Sequence, residues 1–213
     1  MALTQFIGFR NWGDEYKVMG LAPYGKPSYL NQIRQIITLK PDGKFELNLD
    51  YFCHHKENTE YVWKNDGPLV KSLFTENIKK LLGSPRKPGE ELTQRHKDIA
   101  HSAQAIYEEA FFHILNTLHE KFKIDSIAIA GGCGFNSVAN GKILLKTPFK
   151  KIYVQAAAGD AGGAIGAAFA TWHKIGGKKG LERGKLHDHA YWGPSFTNEY
   201  CHSLIKKEKK RIE

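Results

Sequence analysis

Cysteine is scarce in this chain: Cys53, Cys133 and Cys201 are the only three in 213 residues. They are odd in number, far apart and form no Cys-x-x-Cys pair, which excludes a disulfide framework. Free thiols of this kind suit a reducing compartment, and the expectation is a cytoplasmic protein. Long apolar runs are also missing. No window reaches the roughly 18 uninterrupted apolar residues that a membrane span needs. The opening Met1-Ala2-Leu3-Thr4-Gln5-Phe6 lacks a charged segment followed by an apolar one, so no signal peptide is predicted. No two histidines stand at the i, i+4 spacing of a helical metal pair. His54-His55, His96 with His101, and His187 with His189 therefore read as structural or solvated. No internal repeat is visible.

What the chain does have is a substantial apolar fraction, 41%, with four Trp, nine Tyr and twelve Phe. That is enough for a packed core and argues against global disorder. The net charge is +9. Much of it falls late, at Lys174, Lys178, Lys179, Arg183 and Lys185 and again at Lys206, Lys207, Lys209, Lys210 and Arg211. Clustered charge of this kind can attract nucleotides, phosphates or RNA. A solvated surface with a frayed basic tail is the simpler reading.

The pattern alternates between helix and strand. Asp14 to Met19 predicts one or two helical turns ending at Gly20, followed by a loop at Pro23, Gly25 and Pro27. Residues 29–38 predict a short helix or strand. Pro41-Asp42-Gly43 is a turn, and the alternation in 44–51 predicts a half-buried strand, so 35–51 reads as a hairpin. Leu69, Val70, Leu73, Phe74 and Ile78 at helical spacing predict a helix over 67–82, with a loop at 83–90. Ile99, Ala103, Ile106, Tyr107, Ala110, Ile114 and Leu118 step by three and four and predict a long helix over 92–121. Ser126 to Ala130 predicts a buried parallel strand, 136–145 a helix, Ile152 to Val154 another strand, and Ala161 to His173 a helix of small residues. Residues 174–190 read as a linker. Strand, glycine loop and helix, twice over, is an α/β arrangement.

Three segments could carry chemistry. In Ala130-Gly131-Gly132-Cys133-Gly134-Phe135-Asn136, paired glycines after a strand let a ligand approach the backbone, and a following helix start offers N–H groups to an anion. Asn136 could bond a base or ribose, or cap its helix. In Gly159-Asp160-Ala161-Gly162-Gly163, small residues permit close packing. Asp160 could cap the helix or, as a hard oxygen donor, hold a divalent metal; local sequence favours the cap. In Gly13-Asp14-Glu15-Tyr16-Lys17, charges in a glycine-rich frame could line a polar pocket, with Lys17 reaching a phosphate, or simply belong to a surface helix.

Taken in order, GDEYKVMGLAPYGKP (13–27), LTQRHKDIAHSAQ (92–104), IAGGCGFNSVANGKI (129–143), VQAAAGDAGGAIGAA (154–168) and HAYWGPSF (189–196) resemble the O-carbamoyltransferases of nodulation and antibiotic biosynthesis. The resemblance covers nearly the whole chain, and it implies a fold: the second half of a duplicated RNase H-like domain of the actin and sugar-kinase superfamily, with a hairpin and helical additions. It implies residues 1–190 as that half of the ATP-binding domain, and 191–213 as the start of a linker or next domain with a basic tail. It also implies ATP, carbamoyl phosphate and a divalent metal, iron or magnesium. A carbamoyl-adenylate would form, and its carbamoyl group would pass to a hydroxyl of a sugar or other natural product. Residue by residue, Gly131, Gly132 and Asn136 match the family's nucleotide-binding turn. Gly159, Asp160 and Gly162 match its GDAG segment, in which the acidic residue ligates the metal. Glu15 and Lys17 match its EYK segment near the nucleotide, as candidate catalytic residues. Cys133-Gly134-Phe135 departs from the family's usual Val-Ala-Leu type of turn and alters the adenine packing expected there.

The family's first phosphate loop and histidine metal ligands are not found in this chain, nor is its C-terminal domain. The expectation is a fragment that supplies one side of an ATP cleft and does not turn over by itself, because catalysis needs both sides positioned together. Two alternatives stand beside this reading. One is threonylcarbamoyl transfer to tRNA adenosine. The other is a non-catalytic basic module for nucleic acid, which lacks the aromatic-rich basic sheet or zinc finger that would support it.

Overall fold

A computed structural model describes residues 1–57, 59–64, 67–175 and 193–212. The architecture is mixed α/β. It divides into two units, Met1–Gly162 and Gly163–Glu213.

The first unit is organised on one long helix. In chain order it contains α1 (Ala2–Phe6), α2 (Glu15–Leu21), α3 (Leu30–Ile33), the hairpin β1 (Ile37–Leu39) and β2 (Phe45–Leu47), and the hairpin β3 (Tyr61–Lys64) and β4 (Gly67–Val70). Helix α4 (Glu76–Leu82) and the long α5 (Gln94–Phe122) follow. Then come β5 (Ser126–Ile129), α6 (Ser137–Asn140), α7 (Ile143–Lys146) and β6 (Lys151–Val154). The 29 residues of α5 span ~43 Å at 1.5 Å per residue. Its first half places Ile99, Ala100 and Ile106 in a core with Phe6, Ile7, Ile33, Ile36, Ile78 and Leu82. Its second half places Leu115 in another core with Ile143 and Phe149, against which Ile127, Ile129 and Ile152 pack. The stripe read from the sequence matches the first of these interfaces at Ile99, Ala103 and Ile106, whereas in the second half Leu115, Phe111 and Phe112 face the core in place of the expected Ile114 and Leu118, and Leu118 is exposed.

Several local expectations give way to context. The helix expected over 67–82 begins only at Glu76, where the Thr75 side chain accepts from Asn77 N. Residues 67–70 pair instead as a strand with 61–64, Val70 opposite Tyr61 and Leu69 opposite Val62. Apolar residues at helical spacing lost here to a cross-strand partner. Strand β2 is exposed along its whole length rather than half-buried. The turn before it has Asp42 and Gly43 both at positive φ (61° and 71°), the geometry of a tight primed hairpin turn. The β5 strand alternates exposed and half-buried residues, so one face is open and the strand is not buried as expected. The helix expected over 136–145 breaks into α6 and α7 around Gly141 and Lys142, and α2 runs through Gly20 to Leu21.

Helix α8 (Gly162–Ile175) begins on the last residue of the first unit. The second unit also holds α9 (Asn198–Ile212), where a frayed tail was expected. Thr197 Oγ1 accepts from Tyr200 N at 3.2 Å, and the Tyr200 ring stacks on Phe196. Most of the expected linker, and the boundary at 190, lie outside the described residues. Among the described residues, no helix is long and apolar enough to cross a membrane.

Candidate functional site

Strands β5 and β6 run parallel, Ser126 opposite Lys151 through Ile129 opposite Val154. Both chains therefore leave the sheet at the same end. In parallel α/β sheets, ligands bind beyond the carboxyl ends of the strands, and here both glycine-rich segments lie at that end.

The two loops are docked on each other. Gly131 N–H donates to the Ala158 carbonyl at 2.6 Å. A Cβ on Gly134 would come 3.1 Å from Ala158 Cβ, and one on Gly159 would come 2.7 Å from the Phe135 ring. On Gly162 it would sit 2.1 Å from the Ala157 carbonyl oxygen. Gly131 holds φ at +99°, a conformation that side chains disfavour. Gly131 and Gly132 differ from Gly134, Gly159 and Gly162: a Cβ on either meets nothing within 4 Å. The turn thus presents bare backbone to open space at 131–132 and is tightly packed behind.

Asn136 closes the turn. Its Oδ1 accepts from Ala139 N at 3.0 Å, capping α6. The same carboxamide pairs reciprocally with Gln104 of α5, Nδ2 to Oε1 at 2.9 Å and Nε2 to Oδ1 at 3.1 Å. Gln104 also donates to Glu108 at 3.0 Å, and Lys142 Nζ holds both Glu108 oxygens at 2.7 Å. Tyr107 O–H donates to the Cys133 carbonyl at 3.4 Å, and burial pushes its hydroxyl well above the ordinary tyrosine value. Asn140 Nδ2 donates to the Gly134 carbonyl at 2.7 Å. With only four residues, α6 has little macrodipole to offer an anion, so the helix-start argument weakens and the bare backbone at 131–132 is what remains.

Asp160 is exposed in the turn ahead of α8, which starts at Gly162. It therefore does not hold the capping position that local sequence favoured. Among the described residues, no group of three or more His, Cys, Asp or Glu could hold a metal ion. The described donors of this chain do not complete a metal centre, so a metal held by Asp160 would need further donors from elsewhere.

Glu15 and Lys17 sit on α2. Glu15 is exposed. Lys17 pairs with Asp14 at 2.7 Å beside the Phe9 and Tyr16 rings, and the Asp14 bond raises its pKa. Just after the glycine turn, Ser137 Oγ at the start of α6 donates to Met19 Sδ of α2 at 3.8 Å. The segment after α2 is bound to α5. Lys26 N donates to Asp98 Oδ1 at 2.8 Å, Tyr29 N to Ser102 Oγ at 3.0 Å, and Gly25 packs where a Cβ would lie 2.0 Å from the Lys97 carbonyl oxygen. The structure thus gathers Gly131, Gly132, Asn136 and the loop of Gly159, Asp160 and Gly162. Glu15 and Lys17 stand on α2, where Lys17 pairs with Asp14. A separate cavity of about 820 Å³, lined by Arg10, Leu69, Lys71, Phe74 and Arg86 among others, holds none of the expected site residues.

Sequence reading missed Gln104, Glu108 and Lys142. A glutamine on a helix and a glutamate one turn later are ordinary surface residues by local pattern, and only the fold brings Asn136 against them.

A family model described as the carbamoyltransferase N-terminus matches residues 1–169. The chain is 39% identical over 208 residues to the uncharacterized protein sll1178 of Synechocystis, covering 96% of this chain and 32% of that protein. It is 35% identical to the nodulation protein NolNO of Sinorhizobium fredii, covering 92% of this chain and 25% of that protein. It is also 35% identical to the nodulation protein NolO of Bradyrhizobium diazoefficiens, covering 90% of this chain and 30% of that protein. The chain thus spans about a third or less of the length of these relatives. The ordered motifs, the two glycine loops at one end of a parallel strand pair, and the family match together place this chain in the carbamoyltransferase family, in the region of its N-terminal domain.

Proposed function

We propose that this chain forms the adenosine side of the ATP site of an O-carbamoyltransferase, within a duplicated RNase H-like domain. Carbamoyl phosphate would lose its phosphate to give carbamate, a carbamate oxygen would displace pyrophosphate from the α-phosphorus of ATP to form a carbamoyl-adenylate, and a hydroxyl of a small acceptor would then take the carbamoyl group and release AMP. One observation carries the reading. In a chain of this family, two interlocked glycine loops stand at the carboxyl ends of parallel strands, with bare backbone facing open space at Gly131 and Gly132. In this reading the glycine turn receives the nucleoside, Asn136 contacts it, and Asp160 contributes one carboxylate oxygen toward a divalent ion. The ion would stabilise phosphate charge when bound. Glu15 and Lys17 keep the place near the nucleotide that the family's EYK pattern gives them, as candidate catalytic residues, with Lys17 paired to Asp14 in this structure.

Backbone amide NMR during titration with ATP and magnesium tests the site. Shifts should cluster at 131–136 and 159–162. Asn136→Ala should weaken binding about tenfold, the loss of a hydrogen bond or two. Shifts elsewhere with these residues silent, or unchanged affinity in the variant, would sink the assignment. Loss of ATP-dependent carbamoyl transfer in Asp160→Ala, in protein of the relatives' length, tests the metal contact.

A further inference from the structure

The carboxamide of Asn136 has its direction fixed from both ends. The Ala139 backbone N–H can only donate, so the atom it meets at 3.0 Å is the Asn136 oxygen. The Glu108 carboxylate, held at both oxygens by Lys142, accepts from Gln104, so the Gln104 atom facing it at 3.0 Å is the nitrogen. The reciprocal pair between the two amides satisfies both constraints at once. Gln104 is buried, 8% exposed, so water does not compete for its bonds.

Asn136 Oδ1 accepts from Ala139 N and from Gln104 Nε2, which fills its two lone-pair directions. One Nδ2 proton goes to Gln104 Oε1. The second Nδ2 proton is the capacity Asn136 has left among the described residues.

We propose that Gln104, Glu108 and Lys142 are positioning residues that hold Asn136 as a hydrogen-bond donor only, so that it contacts an acceptor atom of the nucleoside, a ring nitrogen or a hydroxyl oxygen, and not an exocyclic amine. The inference rests on the nucleotide reading above. It assigns any discrimination at the adenine 6-amino group to a part of the site other than Asn136.

Two measurements test it. The first needs no nucleotide: the side-chain ¹⁵N–¹H signals of Asn136 are followed in Glu108→Gln, Lys142→Met and Lys142→Arg. Neither Glu108 nor Lys142 is hydrogen-bonded to Asn136; both reach it through Gln104. Glu108→Gln replaces a pure acceptor by an amide that can present either end, and it should shift the Asn136 pair and speed its exchange. Lys142→Met should do the same, and Lys142→Arg, which still pairs with a carboxylate, should restore the wild-type signals. Unmoved signals in Glu108→Gln would overturn the relay.

The second is a double cycle on affinity. ATP and purine ribonucleoside triphosphate, which lacks the 6-amino group, are titrated into wild type, Glu108→Gln and Asn136→Ala. The Asn136→Ala loss, about tenfold, should be the same for both nucleotides, and Glu108→Gln should weaken each about threefold. A loss that vanishes for the analogue would show Asn136 accepting from the amine and overturn the donor-only assignment. If ATP moves nothing at 131–136 in wild type while the Asn136 signals still respond to Glu108→Gln, the nucleotide reading falls. The ligand half of this inference falls with it, and the network is then a structural clamp.

Discussion

At the scale of single residues, the glycines of the two loops do different jobs, and substitution should separate them. Gly132→Ala adds a methyl where no atom lies within 4 Å. It should leave stability within about 0.5 kcal/mol of wild type while lowering ATP affinity, because the methyl enters the space the nucleotide needs. Gly162→Ala drives a methyl to 2.1 Å from the Ala157 carbonyl oxygen, a backbone atom, and should cost about 1–3 kcal/mol, as overpacking does. Urea denaturation and ATP titration of both variants check this. A Gly132→Ala protein that unfolds early but binds normally would reverse the assignment. Both glycine segments were legible in the sequence, since paired glycines after an apolar run announce a close approach. Which glycine serves a positive φ, which a packed neighbour and which a ligand was not legible, because the partners Ala158, Phe135 and Ala157 are set by the docking of one loop on the other. Asp160 shows the opposite limit. Local sequence favours a cap, the family pattern favours a ligand, and the helix starts too late for the cap.

At the scale of elements, α5 was read almost to its ends, because its stripe repeats over many turns. The shorter elements were not. Leu69, Val70, Leu73 and Phe74 carry helical spacing, yet Pro68 and the partner strand at 61–64 draw 67–70 into β structure, aided by the bridge of Asn11 to Leu69. The start of α5 carries a pH dependence. In its capping box, His96 takes the place usually held by Glu or Gln, and its Nδ1 accepts from Thr93 N at 3.1 Å. Burial, then the charge of Arg95, lowers the His96 pKa below 6.5. The unfolded chain therefore takes up this proton first on acidification. The stabilisation is complete above about pH 6.5 and is lost as pH falls from there toward the folded value. His96→Gln keeps an acceptor at the third position and removes the proton. The difference in melting temperature between wild type and His96→Gln should shift against wild type as pH drops from 7.5 to 5. A constant difference would show that this ring does not titrate on unfolding. The burial of Ile99 at 0% exposure makes Ile99→Ala a stability probe of the same helix, with an expected loss of about 2–5 kcal/mol in urea denaturation.

At the scale of the whole molecule, a ligand that binds only the folded state raises stability by mass action. ATP at about 100 times its dissociation constant should add ~2.7 kcal/mol, seen as a concentration-dependent rise in melting temperature that Asn136→Ala shifts to higher ATP. A rise of equal size in both proteins would place the nucleotide elsewhere. The mixed α/β class was legible in the alternation of patterns. The arrangement of the first unit was not, because it depends on contacts between distant segments. The clearest of these is the side chain of Gln5. It donates to the carbonyls of Val70 and Lys71 at 3.0 and 3.1 Å and accepts from Leu73 N at 2.9 Å, reaching 65, 66 and 68 residues along the chain. The strand pair that carries the glycine loops closes over far fewer residues, from Ser126 to Lys151. Closing a long loop costs chain entropy before its contacts repay it, and non-local pairing slows folding. The order of assembly follows: the β5–β6 unit with its loops can form early from neighbouring sequence, and the N-terminal helix is clasped late, when Gln5 finds the strand that its single amide bridges.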